Sequence, residues 1–580
     1  MRYFYLFCCY YSLAAALLLG PVARAQVPAW NEPVAALQAS GTFFDPSLLA
    51  TAPNGDVYLA GLFSGRVTLG GDVLTATHNN DFFVAKWSAT TRQFIWGVAG
   101  QSTGLCRLSG LAVSGTSVYL AGNASDSQLT FGALPMASPA AGPYLSFVAK
   151  LTDAGPSGAF QWALPISGEQ YRGSYGSLVS GLATTPTGVY LTGTSAGPTH
   201  VGALTVTGLP YPAAYVARLA DAGAAGSCAQ VQLLGTGPGG SQFTTTTALA
   251  AAGAHLYLTG QASGGVALGA TSLPGAGTFV LRLTDTGPAM QLDWATFSPG
   301  LNPTALAVDG PSVVVGGTFT GSYLVGGTRL VSTALGPSSY PDLFVAKLLD
   351  ADTSGRFQWA QQAGGRYDEQ LGGLALRGSD IFIAGTYFNY ADTSPSDYPV
   401  FGTTTLPRFG YKDIFLAKLT DNGASGAFAW AKPAGSEYDD LGNALTLGAS
   451  GAVYVAATAY GPANFGRYYL PNGNNTSKGV LASVLSPTAL AAAPAVPLVG
   501  GTVYPNPARQ SAVLALPVPT AHPLTLALFN ALGEQVGPAT ALPAGSRAVT
   551  LSLAGLAPGV YALRLAGGDQ PLPTQRLVVE

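Results

Sequence analysis

Tyrosines beside acidic residues recur in one kind of connecting segment of this chain. Three times a tyrosine stands three residues after a glycine, and in two of these copies an aspartate comes next. A tyrosine ring offers an apolar face and a hydroxyl group, and a carboxylate accepts hydrogen bonds, so the combination suits a glycan or a protein surface. The longest connecting loop adds Tyr387, Phe388, Tyr390, Asp392 and Tyr398. The candidate ligand-binding residues are Tyr171, Tyr367, Asp368, Tyr390, Tyr438 and Asp439.

The residue types that catalysis and metal binding require are sparse or badly spaced. The four histidines belong to no metal-spaced group, and no Gly-x-Ser-x-Gly motif stands between a strand and a helix. The Ser-x-Asp-x-Gly-x-Thr-Trp turns of sialidases are absent. The run from Asp350 to Gly355 resembles half of a calcium loop but lacks the glutamate at the twelfth position, so a hairpin turn is the better interpretation. The sequence therefore assigns no catalytic, cofactor-binding or metal-binding residue.

The tyrosine loops connect repeated elements. The phrase Val-Tyr-Leu-Ala-Gly at residues 57–61 returns in seven copies, 57 to 72 residues apart, between residues 26 and 485. Its β-branched and aromatic residues, ended by a glycine, predict a strand. A Leu-Ala phrase precedes it, and Phe-Val-Ala-Lys and aromatic-x-Trp phrases follow it. One repeat therefore predicts a small sheet of four strands.

Such a sheet buries too little surface to fold alone, so the seven copies must pack against one another. Radial stacking covers both faces of every sheet and leaves only short edges, which predicts an all-β fold with a seven-bladed β-propeller over residues 26–485. The seventh copy stops after its third phrase, while a tryptophan phrase stands alone around Trp30. We therefore expect residues 27–36 to complete the last sheet and close the ring.

Two residue types recur at fixed places in the repeat. The tryptophans are interpreted as packing elements between sheets, because a residue needed by every repeat serves the ring before any ligand. Between the second and third phrases, every copy keeps an apolar residue followed by glycine, with another apolar residue four positions beyond that glycine. This glycine predicts a turn with positive φ or a close backbone approach.

Composition favours a folded scaffold and excludes some partners. Charged residues make up 9% of the chain, the net charge is -3 and the pI is about 5.8. No basic stripe is present, so the sequence predicts no nucleic-acid binding. Outside the first residues there is no uninterrupted apolar span of the ~20 residues that a transmembrane helix needs. The sequence predicts no transmembrane segment in the mature chain.

The two flanks of the repeat region differ from it in composition. Residues 1–25 have the features of a signal peptide: Arg2, an apolar stretch over residues 13–19, and an Ala-Arg-Ala cleavage site. Cys106 and Cys228 are the cysteines beyond this segment, and we expect isolated buried thiols. Residues 486–501 are rich in alanine and proline and predict an extended linker.

The last segment, residues 502–580, contains short alternating strands that predict a small β-sandwich. Its motifs are Tyr504-Pro505-Asn506-Pro507, Gly559-Val560-Tyr561 and Arg576-Leu577-Val578-Val579. In this order at the end of the chain, they resemble the type A C-terminal sorting domain of the type IX secretion system, with Arg576 where lysine is common. The resemblance implies passage through the outer membrane, removal of the domain by a sortase-like peptidase, and attachment to surface polysaccharide or release. The repeat region resembles a bacterial family of seven-bladed propeller repeats, which implies a fold and little biochemistry.

Two functions follow as expectations. The first is a secreted or cell-surface, non-enzymatic binding or adhesion scaffold that needs no cofactor and has the type IX secretion machinery, and possible surface polysaccharide or glycan, as partners. The alternative is a secreted carbohydrate-active enzyme with an acid pair on one propeller face. Residues that recur in every copy serve the ring, so function is expected where the copies differ.

Overall fold

The computed structural model describes most of the chain in two compact units, Met1–Pro487 and Thr488–Glu580. Regular structure is almost entirely antiparallel strand, with one short 3-10 helix, Pro395–Asp397, among the described residues. The predicted signal peptide and linker lie outside the described residues. The residues that the structure describes are 27–35, 37–38, 42–125, 128–137, 145–168, 177–186, 188–195, 197–207, 211–235, 243–333, 340–390, 394–471, 477–485, 502–516, 524–530, 535–566 and 575–580.

The first unit repeats one propeller-like element, an open antiparallel sheet in which four strands lie in chain order. The predicted phrases form these strands, and the central second and third strands are almost completely buried. Sheet 1 comprises Phe44–Thr51, Val57–Phe63, Asp81–Ser88 and Gln93–Ser102; sheet 2 comprises Cys106–Ser114, Ser117–Ala124, Leu145–Asp153 and Gly158–Gly168; sheet 3 comprises Ser177–Thr185, Gly188–Ser195, Ala213–Asp221 and Gly226–Leu234; sheet 4 comprises Thr244–Ala252, His255–Ala262, Gly277–Asp285 and Met290–Ser298. Sheet 5 comprises Leu301–Asp309, Ser312–Phe319, Asp342–Asp350 and Gly355–Gly364; sheet 6 comprises Glu369–Arg377, Asp380–Phe388, Lys412–Asp421 and Gly426–Ala434; sheet 7 comprises Leu441–Leu447, Ala452–Ala459 and Lys478–Leu485, followed by Val34–Ala35.

The fourth strand of sheet 7 comes from the other end of the unit. Val34 lies opposite Leu481 in antiparallel register, and Trp30 forms a further bridge with Val484. The Trp30 side chain is 2% exposed, and its Nε1 donates a hydrogen bond to the carbonyl oxygen of Pro433 at 3.2 Å. The residues expected to complete the last sheet therefore pair with it.

The first strands of consecutive sheets lie side by side through the whole series, and that of sheet 7 also contacts that of sheet 1. At this last contact, the Nδ2 of Asn443 donates to Oδ1 of Asp45 at 2.7 Å. The hydroxyl oxygens of Thr51 and Thr446 are 2.9 Å apart. Polar contacts thus connect the first and last sheets.

A short hairpin connects the second and third strands in every sheet. Its turn glycine has φ between 57° and 64° in all seven copies, which confirms the predicted positive-φ turn. Three of the hairpins extend the fourth strand of the preceding sheet, so each joins two sheets. The hairpin strands are Arg66–Leu69 with Asp72–Thr75, Gln128–Phe131 with Leu134–Ala137, Thr199–Val201 with Leu204–Val206, Val266–Leu268 with Thr271–Leu273, Ser322–Val325 with Thr328–Val331, Val400–Phe401 with Thr404–Thr405, and Ala463–Phe465 with Tyr468–Leu470; Leu37–Gln38 pairs with the first of them.

Buried aspartates link neighbouring sheets at the end where the third strand turns into the fourth. Asp153 of sheet 2 accepts hydrogen bonds from three side chains of sheet 1: the Tyr58 hydroxyl at 2.5 Å, the Lys86 ammonium at 2.7 Å and the Trp96 indole at 3.1 Å. Its Oδ1 also accepts the backbone N–H of Gly155 at 2.9 Å. The predicted hairpin turn is present, and the same carboxylate holds the preceding sheet.

This link recurs with small variations at each junction from sheets 1 and 2 to sheets 5 and 6. Sheet 3 has no tryptophan at this position, and Tyr190 and Arg218 are the side chains that bind the next aspartate. Hydrogen bonds from these partners lower the pKa of each linking aspartate, although burial opposes the shift. The aspartates and their donors are Asp221 with Tyr119, Lys150 and Trp162; Asp285 with Tyr190 and Arg218; Asp350 with Tyr257, Arg282 and Trp294; and Asp421 with Lys347 and Trp359.

The tryptophans are packing elements, as predicted. A Cβ atom added to Gly158 at the start of the fourth strand of sheet 2 would lie 2.8 Å from the Trp96 ring. The indole of one sheet therefore lies directly on the backbone of the next.

Cys106 and Cys228 are free thiols; Cys106 is buried, whereas Cys228 is only partly buried.

The second unit consists of two antiparallel sheets around one core. The core draws on both sheets, with Leu514 and Leu551 from one and Leu526, Leu563 and Leu577 from the other. The first sheet contains Thr502–Tyr504, Ser511–Ala515 and Ala548–Ser552, and the second contains Thr540–Leu542, Leu524–Phe529, Gly559–Ala566 and Gln575–Val579.

Candidate functional site

The predicted tyrosines lie at the end of the sheets opposite the linking aspartates. Here the fourth strand of one sheet ends and the first strand of the next begins. Tyr367 and Asp368 lie between Gly355–Gly364 and Glu369–Arg377, and Tyr390 lies just after Asp380–Phe388. Two different connections therefore approach each other at sheets 5 and 6. Tyr171 lies outside the described residues.

Four tyrosines form a continuous row at this end. The ring centroids of Tyr340 and Tyr367 are 5.5 Å apart, those of Tyr367 and Tyr390 are 4.6 Å apart, and those of Tyr390 and Tyr411 are 6.2 Å apart. Tyr390 and Tyr411 are 42% and 48% exposed, whereas Tyr367 is buried. We call these four residues the tyrosine row. Half-exposed rings in contact give an apolar surface with hydroxyl groups on it.

The sequence missed two members of the row. Tyr340 and Tyr411 lie just before the third strands of sheets 5 and 6, in connections that share no tyrosine pattern. Each of them precedes an aspartate by two residues, Asp342 and Asp413. That spacing is the one signal that could have found them.

Tyr438 and Asp439 occupy a neighbouring position. Tyr438 is 42% exposed, and a Cβ atom on Gly461 would lie 2.3 Å from its ring. It has no ring partner among the residues that the structure describes. Asp439 forms an ion pair with Lys412 at 2.7 Å. Of the predicted candidates, Tyr367, Asp368 and Tyr390 are brought together, and Tyr438 and Asp439 lie beside them.

Cationic side chains lie over the rings. The guanidinium of Arg366 lies 5.6 Å from the centroid of Tyr367 and also pairs with Asp397 at 3.3 Å. The guanidinium of Arg408 lies 5.7 Å from the centroid of Tyr411. Both signs of charge are therefore present around the row, so it is not a strongly charged surface.

Buried carboxyl groups hold the loops that bear the tyrosines. Glu369 accepts the backbone N–H of Gly365 at 3.1 Å, and Asp413 accepts that of Phe409 at 2.9 Å. Asp440 accepts the N–H of Tyr460 at 3.0 Å and also that of Ser436. Each of these carboxyl groups is 0% exposed. They anchor the loops from below and do not face solvent.

One of these carboxyl groups, Glu369, has a second acid close by. At Gly364, a Cβ atom would lie 2.7 Å from Oδ1 of Asp342 and 2.8 Å from Oε2 of Glu369. Burial, reinforced by the charge of Asp342, raises the pKa of Glu369 well above its usual range. Burial also raises the pKa of Asp342 to about 6 and that of Asp413 to about 7. These buried carboxyl groups therefore keep their protons to higher pH than exposed carboxyl groups do.

These pKa shifts predict how stability depends on pH. The unfolded state releases the protons of Asp342 and Asp413 around its ordinary pKa of 3.8, whereas the native state keeps them up to about pH 6 to 7. Lowering the pH from 8 to 5 should therefore raise Tm, by roughly 5 °C or more. Below pH 4, the linking aspartates, whose pKa values are lowered, take up protons on unfolding and Tm should fall again. Calorimetry from pH 3 to 8 measures this. A variant with Asp342→Asn and Asp413→Asn should lose part of the rise between pH 8 and 5, while Glu369 and Asp440 keep the remainder; a wild-type Tm that is flat or falls in that window would contradict the assignment.

One polar side chain between the loops that bear the tyrosine row has no hydrogen-bond partner among the described residues. Asn389 is 1% exposed, and neither its Oδ1 nor its Nδ2 has a hydrogen bond within the described part of the chain. Its backbone N–H donates to the carbonyl oxygen of Tyr411 at 2.9 Å, which places it between the loops. An unpaired buried amide costs about 1 to 3 kcal/mol.

The second unit brings its three sequence motifs together. The Nδ2 of Asn506 donates to the carbonyl oxygen of Arg576 at 2.8 Å, and its Oδ1 accepts the N–H of Val578 at 2.8 Å. The side chain of Leu577 between them is completely buried. The Tyr561 hydroxyl donates to the carbonyl oxygen of Ala557 at 2.7 Å. Asn506 therefore fixes the last strand, Gln575–Val579, which explains why its motif and the terminal motif occur together.

The other predicted sorting residues lie at strand ends and in the paired strands of this unit. Tyr504 ends a strand and is 53% exposed. Both X-Pro bonds of its motif, Tyr504–Pro505 and Asn506–Pro507, are cis. Gly559, Val560 and Tyr561 pair with Val579, Val578 and Leu577.

Comparisons with known proteins identify the second unit. Residues 502–580 match the secretion system C-terminal sorting domain, which confirms that this segment is a sorting domain. No curated protein matches the sequence.

Solved structures of low similarity cover most of the chain. A mutant of Trypanosoma rangeli sialidase that displays trans-sialidase activity is 10% identical over 94% of this chain and 93% of that chain, with a TM-score of 0.31. The plexin A4 extracellular region is 8% identical over 93% of this chain and 67% of that chain, with a TM-score of 0.37. The extracellular domain of a hybrid two-component system of B. thetaiotaomicron is 8% identical over 96% of this chain and 98% of that chain, with a TM-score of 0.18. At these scores, the likeness says nothing about ligand or activity.

The sorting domain settles where the protein goes. The described part of the chain contains no helix with the length and hydrophobicity that a membrane crossing requires. A C-terminal sorting domain is recognised by the type IX secretion machinery. The protein is exported to the cell surface or the extracellular space.

Proposed function

We propose that this protein is a secreted or cell-surface, non-enzymatic binding scaffold that uses the tyrosine row as its binding surface. The observation that supports this most directly is the exposure of Tyr390 and Tyr411, 42% and 48%, within a continuous row of rings. Large aromatic side chains are costly to leave in water, and contiguous exposed apolar surface marks binding sites. The other sheets have no comparable row among the described residues. Function lies where the repeats differ.

The proposal includes the architecture that holds the row. Residues 26–485 form one closed seven-bladed propeller, residues 27–36 complete its last sheet, and residues 486–501 link it to the sorting domain over residues 502–580. The pairing of Val34 with Leu481 and the hydrogen bond from Asn443 to Asp45 support closure. A closed ring fixes sheets 5 and 6 relative to each other, so the row is held rigid before any ligand binds.

A glycan is the proposed ligand. Tyrosine rings beside Asp368 and Asp439 offer both apolar contact and hydrogen bonding, and an exported protein meets surface polysaccharides. The sorting domain is proposed to be removed by a sortase-like peptidase, after which the remaining chain is attached to surface polysaccharide or released.

The burial of the carboxyl groups at this end of the unit favours a binding function over a catalytic one. A general acid must reach the reacting atom, and three carboxyl groups with raised pKa values, Glu369, Asp413 and Asp342, are 0% exposed. They also accept backbone hydrogen bonds that hold the loops. A secreted carbohydrate-active enzyme remains the alternative. Assay of the mature protein against polysaccharides for released reducing ends separates the two functions.

Replacing the exposed rings tests the binding surface. The Tyr367→Ala, Tyr390→Ala, Tyr438→Ala triple variant should lose at least tenfold in binding on a glycan array and to whole cells, because the apolar surface is removed. A Tyr390→Ala, Tyr411→Ala variant removes only half-exposed rings and should keep the wild-type Tm. Tyr469→Ala is the matched control, since this ring is 63% exposed on a hairpin of sheet 7. Unchanged binding in both multiple variants would refute the proposed site.

A further inference from the structure

We propose that Asn389 and Asp368 form a saccharide subsite at the tyrosine row, in which the amide and the carboxylate pair with neighbouring hydroxyl groups of one sugar while its ring packs against Tyr390. This inference rests on the proposed binding function and names the chemistry of the contact.

Asn389 has hydrogen-bonding capacity that the protein leaves unused. Its backbone is fixed by the bond to the carbonyl oxygen of Tyr411, so the amide is held inside the loop cluster. It directly precedes Tyr390, whose ring contacts both Tyr367 and Tyr411. Buried polar side chains are normally paired. An amide kept there without a partner points to a group that arrives from outside the chain.

Asp368 supplies a second unused polar group close to the first. Its backbone carbonyl accepts the N–H of Phe388 at 3.1 Å, which places it beside the end of the strand that leads into Asn389. Within the described residues its carboxylate has neither a hydrogen bond nor an ion pair, and the side chain is half-buried. Burial raises the pKa of this carboxyl group. A neutral donor, such as a hydroxyl group, would satisfy it without adding charge.

The combination matches a sugar better than a protein surface. An amide has both donors and an acceptor, and a carboxylate has acceptors, so together they complement adjacent hydroxyl groups that donate and accept. Asn389 is 1% exposed, so only a small group that enters between the loops could reach its amide, and a broad protein patch could not. The half-exposed ring of Tyr390 offers its apolar face to the carbon skeleton of the same sugar.

The test uses the mature protein and the neutral polysaccharide that it binds most strongly on the array. In affinity electrophoresis, Asn389→Leu and Asp368→Asn should each weaken binding at least tenfold. Because Asn389 has no partner to lose, Asn389→Leu should leave Tm unchanged or raise it. Asn302→Leu, at an exposed amide on the first strand of sheet 5, is the matched control and should bind like the wild type.

The outcomes separate this subsite from the wider proposal. Wild-type binding in both variants overturns the subsite alone, provided that the Tyr390→Ala, Tyr411→Ala variant loses binding. If Asn389→Leu lowers Tm, Asp368→Asn decides, since its carboxylate also has no partner to lose. If the protein binds no saccharide, and if protease treatment of the cells abolishes its binding to them, the subsite is overturned and a protein-binding scaffold is left. No binding to glycans or to cells overturns both.

Discussion

Replacing Asp350 with alanine should lower the free energy of unfolding by about 3 to 5 kcal/mol, the range measured when one partner of a buried ion pair is removed. This carboxylate joins sheets 4 and 5. It accepts hydrogen bonds from the Tyr257 hydroxyl at 2.6 Å, the Arg282 guanidinium at 2.8 Å and the Trp294 indole at 3.0 Å. Its removal leaves three donors buried between the sheets without their acceptor. Chemical denaturation of the wild type and variant at pH 7 measures the difference.

A control within the same ion-pair group sharpens this prediction. Asp352 pairs with the same Arg282 at 3.2 Å, but its side chain is 93% exposed. Asp352→Ala should therefore change stability by less than about 1 kcal/mol. Asp350→Asn keeps one carbonyl acceptor and should fall between the two. If Asp350→Ala and Asp352→Ala lower the free energy of unfolding equally, the buried carboxylate stabilises the protein no more than the exposed one does.

The penalty for Asp350→Ala should also depend on pH. Although burial opposes it, hydrogen bonds from Tyr257, Arg282 and Trp294 lower the pKa of this carboxyl group. Its contribution is therefore complete above the unfolded pKa of 3.8 and is lost as the pH falls through the lowered native value. The difference between wild type and variant should shrink at the most acidic pH values where both remain folded.

Deleting residues 27–36 should have the second large effect, a loss of about 4 kcal/mol or more. The deletion removes Trp30, which is 2% exposed and meets Phe465 edge-on with ring centroids 5.6 Å apart. Truncation of one such buried tryptophan alone costs about 3 to 5 kcal/mol. The deletion also removes Val34–Ala35 and exposes the edge of Lys478–Leu485. Thermal unfolding of the mature chain with and without these residues measures the effect.

A substitution in the same segment serves as the control. Glu32 is exposed, so Glu32→Ala should change stability by no more than about 0.5 kcal/mol. An unchanged Tm after the deletion would mean that the sheets need no closing strand, and the proposed closed ring would be wrong.

The regular features of the fold were predictable because they are local. A run of β-branched and aromatic residues ended by glycine predicts a strand wherever it occurs, and the second strands, such as Val57–Phe63 and Ser117–Ala124, lie where the phrase does. The turn glycines, including Gly70 and Gly466, adopt positive φ in all seven hairpins. Backbone sterics within a few residues decide both features.

The partners of each side chain were not predictable in the same way. The turn at Asp153 is visible in the sequence as an aspartate before a glycine. Its bonds to Tyr58 and Trp96 span 95 and 57 residues, and no local pattern reports such a distance. The tyrosine row has the same origin. Tyr367 follows a repeated glycine, but Tyr411 and Asn389 became part of the site only because loops of sheets 5 and 6 meet.

By itself the sequence determined the strands, their turns and the export signal, since each depends on neighbouring residues or on a short motif such as Tyr504-Pro505-Asn506-Pro507. The tertiary structure alone decided which polar groups are paired and which are left over. It buried Glu369 beside Asp342, paired Asp439 with Lys412 and, within the described part of the chain, left the Asn389 amide without a partner. Burial and pairing depend on chain segments brought together by the packing of whole sheets. Asn389 and Tyr411, the side chains that the structure adds to the proposed binding site, are therefore ones that the linear pattern did not indicate.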